Sequence, residues 1–472
     1  MHAQSPIKFR KVIGNNGYDY GYSCKQTFDK GYVIGGSSSS FGSGNTDMYV
    51  VKTDSMGVPW GDKTIGGINI DQGMCIRQTS DSGYVLLGYT NSYGAGGYDM
   101  YLVKMDSSFN TQWTKTYGGT DWDFGNCVEQ TSDGGYILCG STYSYGKGDQ
   151  DYYLIRTNST GDTLWTKTYG GTKEDIAKSV IQTSDGGFIL TGVTKSMGDT
   201  LGDFYTIKTF ANGDTTWTYK LGGLQADVGN DILESNTGEF IAGGETYSFG
   251  AGNADAVLIK LSATGIFQNI FTIGNTGFDN ATSITEGADG KIAMVGLTKN
   301  WGTVNGDMYF TIIKNDWTFF NSTTFGTITK DQGFSVEATA DKCFILCGTT
   351  KGFNNGLEDI YLIKTDSMGL SGFTGSESIF ITSVQDQNSF LNNSFVLFPN
   401  PANNSIHINI NTSWWQDQAE IIIVDVLGKE VEHFQTALNN FSINTKDLTN
   451  GLYYLTLKTK NSISTQKLVI QH

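Results

Sequence analysis

Two sets of aspartates recur at an interval of 52 residues: Asp19, Asp71, Asp123, Asp175, Asp227, Asp279 and Asp331, and then Asp47, Asp99, Asp151, Asp203, Asp255, Asp307 and Asp359. Three chemistries suit carboxylates placed this way. A pair at the right separation is all that glycoside hydrolysis requires. Neighbouring carboxylates can hold a hard cation such as Ca²⁺. An aspartate can also pin a loop by accepting backbone N–H bonds. Seven equal copies point to the third use. No loop carries a full set of oxygen ligands, so no cofactor is expected, and Ca²⁺ at the Asp19 series is the one cation left open.

The residue before each aspartate of the first series does vary: Tyr18, Ile70, Trp122, Glu174, Ala226, Phe278 and Lys330. Tyr18, Trp122 and Phe278 are thus candidates for stacking on a sugar or a protein partner, because an exposed ring brings a large contact area at low entropic cost. Their alternative role is loop packing. Other chemistry is scarce. The four histidines, His2, His407, His433 and His472, lie outside the repeats, so a Ser-His-Asp or Cys-His arrangement has no imidazole there. Arg10, Arg77 and Arg156 are the only arginines and occupy different repeat positions. The turn Thr131-Ser132-Asp133-Gly134-Gly135 partly resembles the Asp-box of sialidase propellers, but aliphatic Leu138 stands where that box ends in an aromatic, and the arginine cluster that grips a carboxylate is missing.

Positioning these residues falls to short strands. Gly14, Gly66, Gly118, Gly170, Gly222, Gly274 and Gly326 keep the same interval, so seven copies run without an insertion or deletion. In one copy, residues 125–131, 136–142, 151–157 and 164–170 are strand-like runs separated by Ser, Asp, Asn and Gly turns. Four strands in about 50 residues is the signature of a propeller blade. The fold expected is all-β: a seven-bladed β-propeller over residues 8–370, then a small β-sandwich. Residues 9–14 (FRKVIG) match a fourth strand yet precede the first full copy, and the last copy lacks one, so the N-terminal strand should complete blade seven and hide its edge. Both aspartate series should then lie toward one rim.

A net charge of −16 at pH 7 argues against a nucleic-acid partner, which needs clustered Lys and Arg. No run of 18 apolar residues is present, so no transmembrane segment is expected. The six cysteines follow no paired plan and read as small buried residues.

From Phe395 the period stops. Residues 371–393 read as a linker, and residues 394–472 alternate apolar residues with Asn, Gly and Asp turns, enough for six or seven strands of an Ig-like sandwich. Three ordered motifs, Pro399-Asn400-Pro401, Asp425 with Gly428, and Gly451 with Tyr453, resemble the type A C-terminal sorting domain of the type IX secretion system of Bacteroidota. That resemblance implies passage through the type IX translocon, removal of the sorting domain by a peptidase, and attachment to lipopolysaccharide or release, hence a secreted or outer-surface location. Residues 1–7 read as the remnant of a signal region. The repeats are distantly similar to kelch propellers, since Gly35-Gly36 and Gly243-Gly244 echo the kelch glycine pair, which the other five copies lack.

The function expected is a non-catalytic binding or adhesion propeller that contacts a glycan or a surface protein through one rim. The alternatives are a polysaccharide-active enzyme using paired aspartates near the central channel, and a purely structural envelope protein.

Overall fold

Each copy folds as four antiparallel strands hydrogen-bonded in chain order, because its apolar runs are cut by turns that need a left-handed residue. In the turn between the first and second strands that residue is Lys30, Ser82, Gly134, Gly186, Gly238, Gly290 or Lys342, with φ between +63° and +85°. Glycine adopts this conformation without steric cost. The computed structural model describes residues 7–198, 200–250, 253–352, 357–371, 380–381, 395–398, 402, 404–410, 418–425, 429–438, 440–460 and 463–470.

Blade one comprises Asp19–Gln26, Tyr32–Ser38, Asp47–Thr53 and Pro59–Ile65, and five further four-stranded sheets repeat it. Blade seven is assembled from Asp331–Ala338, Phe344–Thr350, Asp359–Thr365 and the N-terminal strand Phe9–Ile13. Phe9 pairs with Lys364 and Ile13 with Ile360, so the two ends of the ring are joined as the sequence predicted. The segment expected to be a linker also contributes here. Phe380–Ile381 lies parallel to Val12 and Ile13, and Ser371 Oγ accepts a 2.9 Å bond from Arg10 Nε; residues 372–379 and 382–393 lie outside the described residues.

The first strand of each blade lines a central channel, and the middle strands carry the core. Every residue of Tyr136–Thr142 is buried, as a strand covered on both faces requires. Three side-chain systems repeat around the ring. In the first, a cation buried on the third strand reaches the turn acid: Lys52 to Asp29, Lys104 to Asp81, Arg156 to Asp133, Lys208 to Asp185, Lys260 to Glu239 and Lys364 to Asp341, at 2.5–3.1 Å. Asp133 therefore clamps Arg156 and closes its own turn, accepting from Thr131 Oγ1 and Gly135 N, which gives the Asp-box-like motif a structural role. The Lys104 ammonium and hydrogen bonds hold Asp81 down at about 2 against its burial.

In the second system a side chain bolts each blade to the turn of the preceding one. Gln78 Oε1 accepts from Phe28 N, Gln130 from Ser80 N, Gln182 from Ser132 N, Glu234 from Ser184 N, Glu286 from Asn236 N and Gln26 from Ala340 N, each at 2.7–2.8 Å. Ala338 fills this position in blade seven. The third system follows from a β-bulge in all seven first strands, between Gly21 and Ser23 in blade one. A bulge leaves one residue unpaired and frees backbone groups. The side chain after it bonds to the next blade: Ser23 to Ile76 O, Cys75 to Val128 O, Cys127 to Val180 O, and Ser335 Oγ accepts from Cys24 N. Cys75 and Cys127 thus serve as hydrogen-bonding groups as well as small buried residues.

The C-terminal unit, Gln385–His472, is compact by itself. Its strands Phe395–Phe398, Ser405–Ile410 and Asn440–Asn444 form one sheet. Glu430–Thr436, Ala419–Asp425, Gly451–Lys458 and Ile463–Ile470 form the other. Their shared core includes Ile406, Ile408, Ile421, Ile423, Leu455, Leu457 and Leu468, the packing of a small sandwich.

Candidate binding face

All seven aspartates of the Asp19 series open the first strand of their blades and are buried, at 0–1% exposure. Asp19 accepts from Ser38 Oγ at 2.5 Å, Ser40 Oγ at 2.6 Å and Asn15 N at 2.8 Å. Asp71, Asp123, Asp175 and Asp227 accept from a backbone N–H four residues earlier and from Ser92, Ser144, Ser196 and Ser248. Asn300 Nδ2 donates to Asp279, and Thr327 N to Asp331. Carboxylates so buried and so bonded hold the loops at this rim and offer no surface to a polysaccharide. The aspartate of the Asp47 series stands beside them: the same glycine, Gly66, separates Asp47 Oδ1 from Asp71 Oδ2. Among the described residues no group of three or more His, Cys, Asp or Glu could hold a metal ion.

Burial, and secondarily the neighbouring carboxylate, raises several members of these pairs, Asp331 to about 6 and Asp359 to about 7. A carboxyl whose folded value is raised contributes stability that is full below the unfolded value near 4 and is lost as pH rises through 6–7. Wild type should therefore resist urea better at pH 5.5 than at pH 8, by about 1 kcal/mol per such group. Asp359→Asn should shrink that difference in paired urea titrations, and an unchanged difference would refute the assignment.

The variable positions are arranged differently from the aspartates. Tyr18 is 43% exposed and stacks on Tyr20 at 6.0 Å; Tyr20 stacks on Tyr22 at 5.5 Å, and Tyr22 leans on Phe334 at 5.0 Å. Trp122 is 53% exposed and meets Tyr98, Phe124 and Tyr143 edge-on at 5.9–6.3 Å. Behind it Tyr89 packs on Tyr98 and Phe124 at 5.4 and 5.0 Å. Gln72 joins the two groups, accepting from Tyr89 OH at 2.5 Å and donating to Tyr22 OH at 3.0 Å. One aromatic arc thus runs from blade seven through blades one and two to blade three, along the rim and the upper channel wall. Phe278 stands apart, half-buried against Tyr247 at 6.3 Å in blades five and six.

The sequence identified the two exposed ends of this arc and missed its body. Tyr20, Gln72, Phe124, Ile176, Val228, Asn280 and Gln332 share one repeat position, and Tyr22, Met74, Asn126, Lys178, Asn230, Thr282 and Phe334 another. Aromatics there were legible as departures from the period, and strand alternation sets both positions on the same, channel-facing side of the first strand. Burial raises the phenols of Tyr20 and Tyr22, and Tyr89 to about 12, so all three keep their O–H as donors.

Of the sorting-motif residues, Asp425 closes a turn, its N donating to Lys429 O at 2.9 Å and its Oδ1 accepting from Lys429 N at 3.0 Å. Gly451 opens a strand, and Tyr453 is buried with its hydroxyl 3.0 Å from Thr449 O. Pro399, Asn400, Pro401 and Gly428 lie outside the described residues. Among the described residues no helix is long and apolar enough to cross a membrane.

Among curated proteins, the regulatory protein FlaEY of Caulobacter vibrioides is 24% identical over 238 residues, which cover 45% of this chain and 24% of FlaEY. The extracellular domain of a hybrid two-component system from B. thetaiotaomicron aligns over 98% of this chain and 57% of its own, at 13% identity and a TM-score of 0.44. PorZ, a surface component of the type IX secretion system of Porphyromonas gingivalis, aligns over 98% of this chain and 60% of its own, at 10% identity and a TM-score of 0.44. The chain spans about a quarter of FlaEY and under two thirds of either solved structure. Residues 396–471 match the family described as the secretion system C-terminal sorting domain, which makes this chain a type IX secretion cargo: a β-propeller sent to the cell surface or the extracellular space.

Proposed function

We propose that the propeller is a non-catalytic glycan-binding module. The observation that carries this reading is the aromatic arc, confined to blades seven, one, two and three of an otherwise strictly repeating ring. Its exposed rings suit the apolar faces of sugars, and its phenols and the Gln72 amide suit their hydroxyls. The buried state of the paired aspartates supports binding over hydrolysis. Removal of the sorting domain by a peptidase, and attachment to lipopolysaccharide or release, complete the proposed route.

On a glycan array, Trp122→Ala combined with Tyr18→Ala is expected to weaken binding at least tenfold, about 1.4 kcal/mol, with the thermal transition unchanged because both rings are half-exposed. Phe278→Ala should leave binding intact. Equal binding by wild type and the double variant would overturn the proposal, and a surface protein as ligand would then be the reading to pursue.

A further inference from the structure

Below the arc the channel holds a cavity of about 620 Å³, within the range of small-molecule sites. Its wall is formed by the bulge residues and the levels beneath them, down to Asn236 and Glu286 at the turn end. Most ionisable groups on that wall are engaged. Lys25 pairs with Glu337 at 3.0 Å and Arg77 with Glu129 at 2.5 Å. Asp231 accepts from Ser179 Oγ, Ser283 Oγ, Ile232 N and Ile284 N. Glu234 and Glu286 bolt the blades, as described above.

Lys178 is the exception. It occupies the bulge of blade four, makes no hydrogen bond or ion pair among the described residues, and lines the cavity between Asn126 and Asn230. Those two amides are anchored by Nδ2 bonds to Ala177 O at 2.7 Å and Ala281 O at 3.0 Å. In a ring of seven, blade four lies across the channel from blades seven and one, so Lys178 faces the wall that carries Phe334 and Tyr22. Burial pulls its amine below the usual lysine range, and the Glu245 carboxylate is the main charge that offsets it. Glu245 in turn is raised by burial and held by Asn280. An ammonium in this position is stabilised by an incoming anion.

We infer that this cavity receives a carboxylate-bearing sugar, its ring against Tyr22 and Phe334 and its carboxylate on Lys178. The inference rests on the glycan-binding reading and deepens it, because the Tyr18–Tyr20–Tyr22 ladder leads from the rim to the cavity wall. A charge-assisted contact discriminates strongly against a ligand that lacks the charged group.

The test is calorimetric titration of the full chain with tri-galacturonate and, as the neutral counterpart, tri-galactose. Wild type should bind the acidic trisaccharide at least tenfold more tightly. Lys178→Met and Lys178→Gln should reduce it to the neutral level while keeping the wild-type thermal transition, and Trp122→Ala should weaken both sugars. Equal binding of the two sugars, or unchanged preference in both Lys178 variants, overturns the inference and leaves the glycan reading standing. Binding of neither sugar by wild type overturns the inference, whereas a glycan array blank for every sugar overturns the glycan reading.

Discussion

Deleting residues 1–13 is expected to abolish the cooperative unfolding of the propeller rather than to trim it. The strand Phe9–Ile13 buries Phe9, Val12 and Ile13 to 3–4% exposure and supplies the outer partner of Asp359–Thr365. Three such side chains are worth about 1.5–3 kcal/mol each, so their loss approaches the whole stability of a typical domain, about 5–15 kcal/mol. The damage is also topological. Without this strand, Asp359–Thr365 becomes an exposed edge, a template for pairing with other chains. Lys8 and Arg10, which reach Asp366 and Ser371, go with it. Differential scanning calorimetry should show no sharp transition for the truncated chain, and size exclusion should show aggregates. A synthetic peptide of residues 7–14 added in trans should restore part of the transition. A truncated propeller that melts as wild type does would contradict ring closure.

The second large effect is expected from a single methyl group. A Cβ on Gly66 would fall inside the envelope of Asp47 Oδ1 and 2.7 Å from Asp71 Oδ2, two carboxylates already fixed by backbone N–H and hydroxyl groups. Neither can withdraw without giving up those bonds, so Gly66→Ala should cost about 3 kcal/mol or more, the range of overpacking combined with a broken buried network. Gly134→Ala provides the contrast: a Cβ there meets nothing within 4 Å, and its only penalty is the positive φ of +85°. That penalty is about 1 kcal/mol. Chemical denaturation of both variants checks the ranking, and similar midpoints would mean that the glycine and its two aspartates do not act as one lock. The same arrangement stands at Gly14, Gly118, Gly170, Gly274 and Gly326, each with two aspartates as close neighbours. This is a physical reason for one glycine and two aspartates keeping step in these six copies; at Gly222 the closest contacts are all with Asp203.

These locks show which parts of the protein were legible in its sequence. Strict registers such as Gly14, Asp19 and Asp47 are imposed by packing that every blade repeats, so a count along the chain recovers blade number, strand number and the closing strand. Other features did not emerge from the count. One is the β-bulge in each first strand: the bulged residue itself varies (Tyr22, Met74, Asn126, Lys178, Asn230, Thr282 and Phe334), and the mark beside it is the small residue that precedes it, Gly21, Gly73, Gly125, Ala177, Gly229, Ala281 and Gly333. Tyr22 and Lys178 share this repeat position, but only the closed ring sets them on facing walls of the channel. Phe278 shows the converse limit. Its repeat position equals that of Tyr18 and Trp122, but its environment does not, because an arc needs aromatic neighbours in adjacent blades and, among the described residues, Tyr247 is the one ring that meets Phe278. Asp133 likewise reads as a turn residue from the sequence, while its grip on Arg156 depends on a strand 23 residues away.

The repeats build the ring, and the non-repeating arc of blades seven, one, two and three is the face proposed to meet the ligand. Hydrogen–deuterium exchange of the full chain with and without its best glycan-array ligand tests this directly. The prediction is protection of peptides containing Tyr18–Tyr22, Gln72, Tyr98 and Trp122–Phe124, with blades five and six and the outer strands unchanged. Protection centred on Phe278, on the outer strands or uniformly around the ring would contradict it.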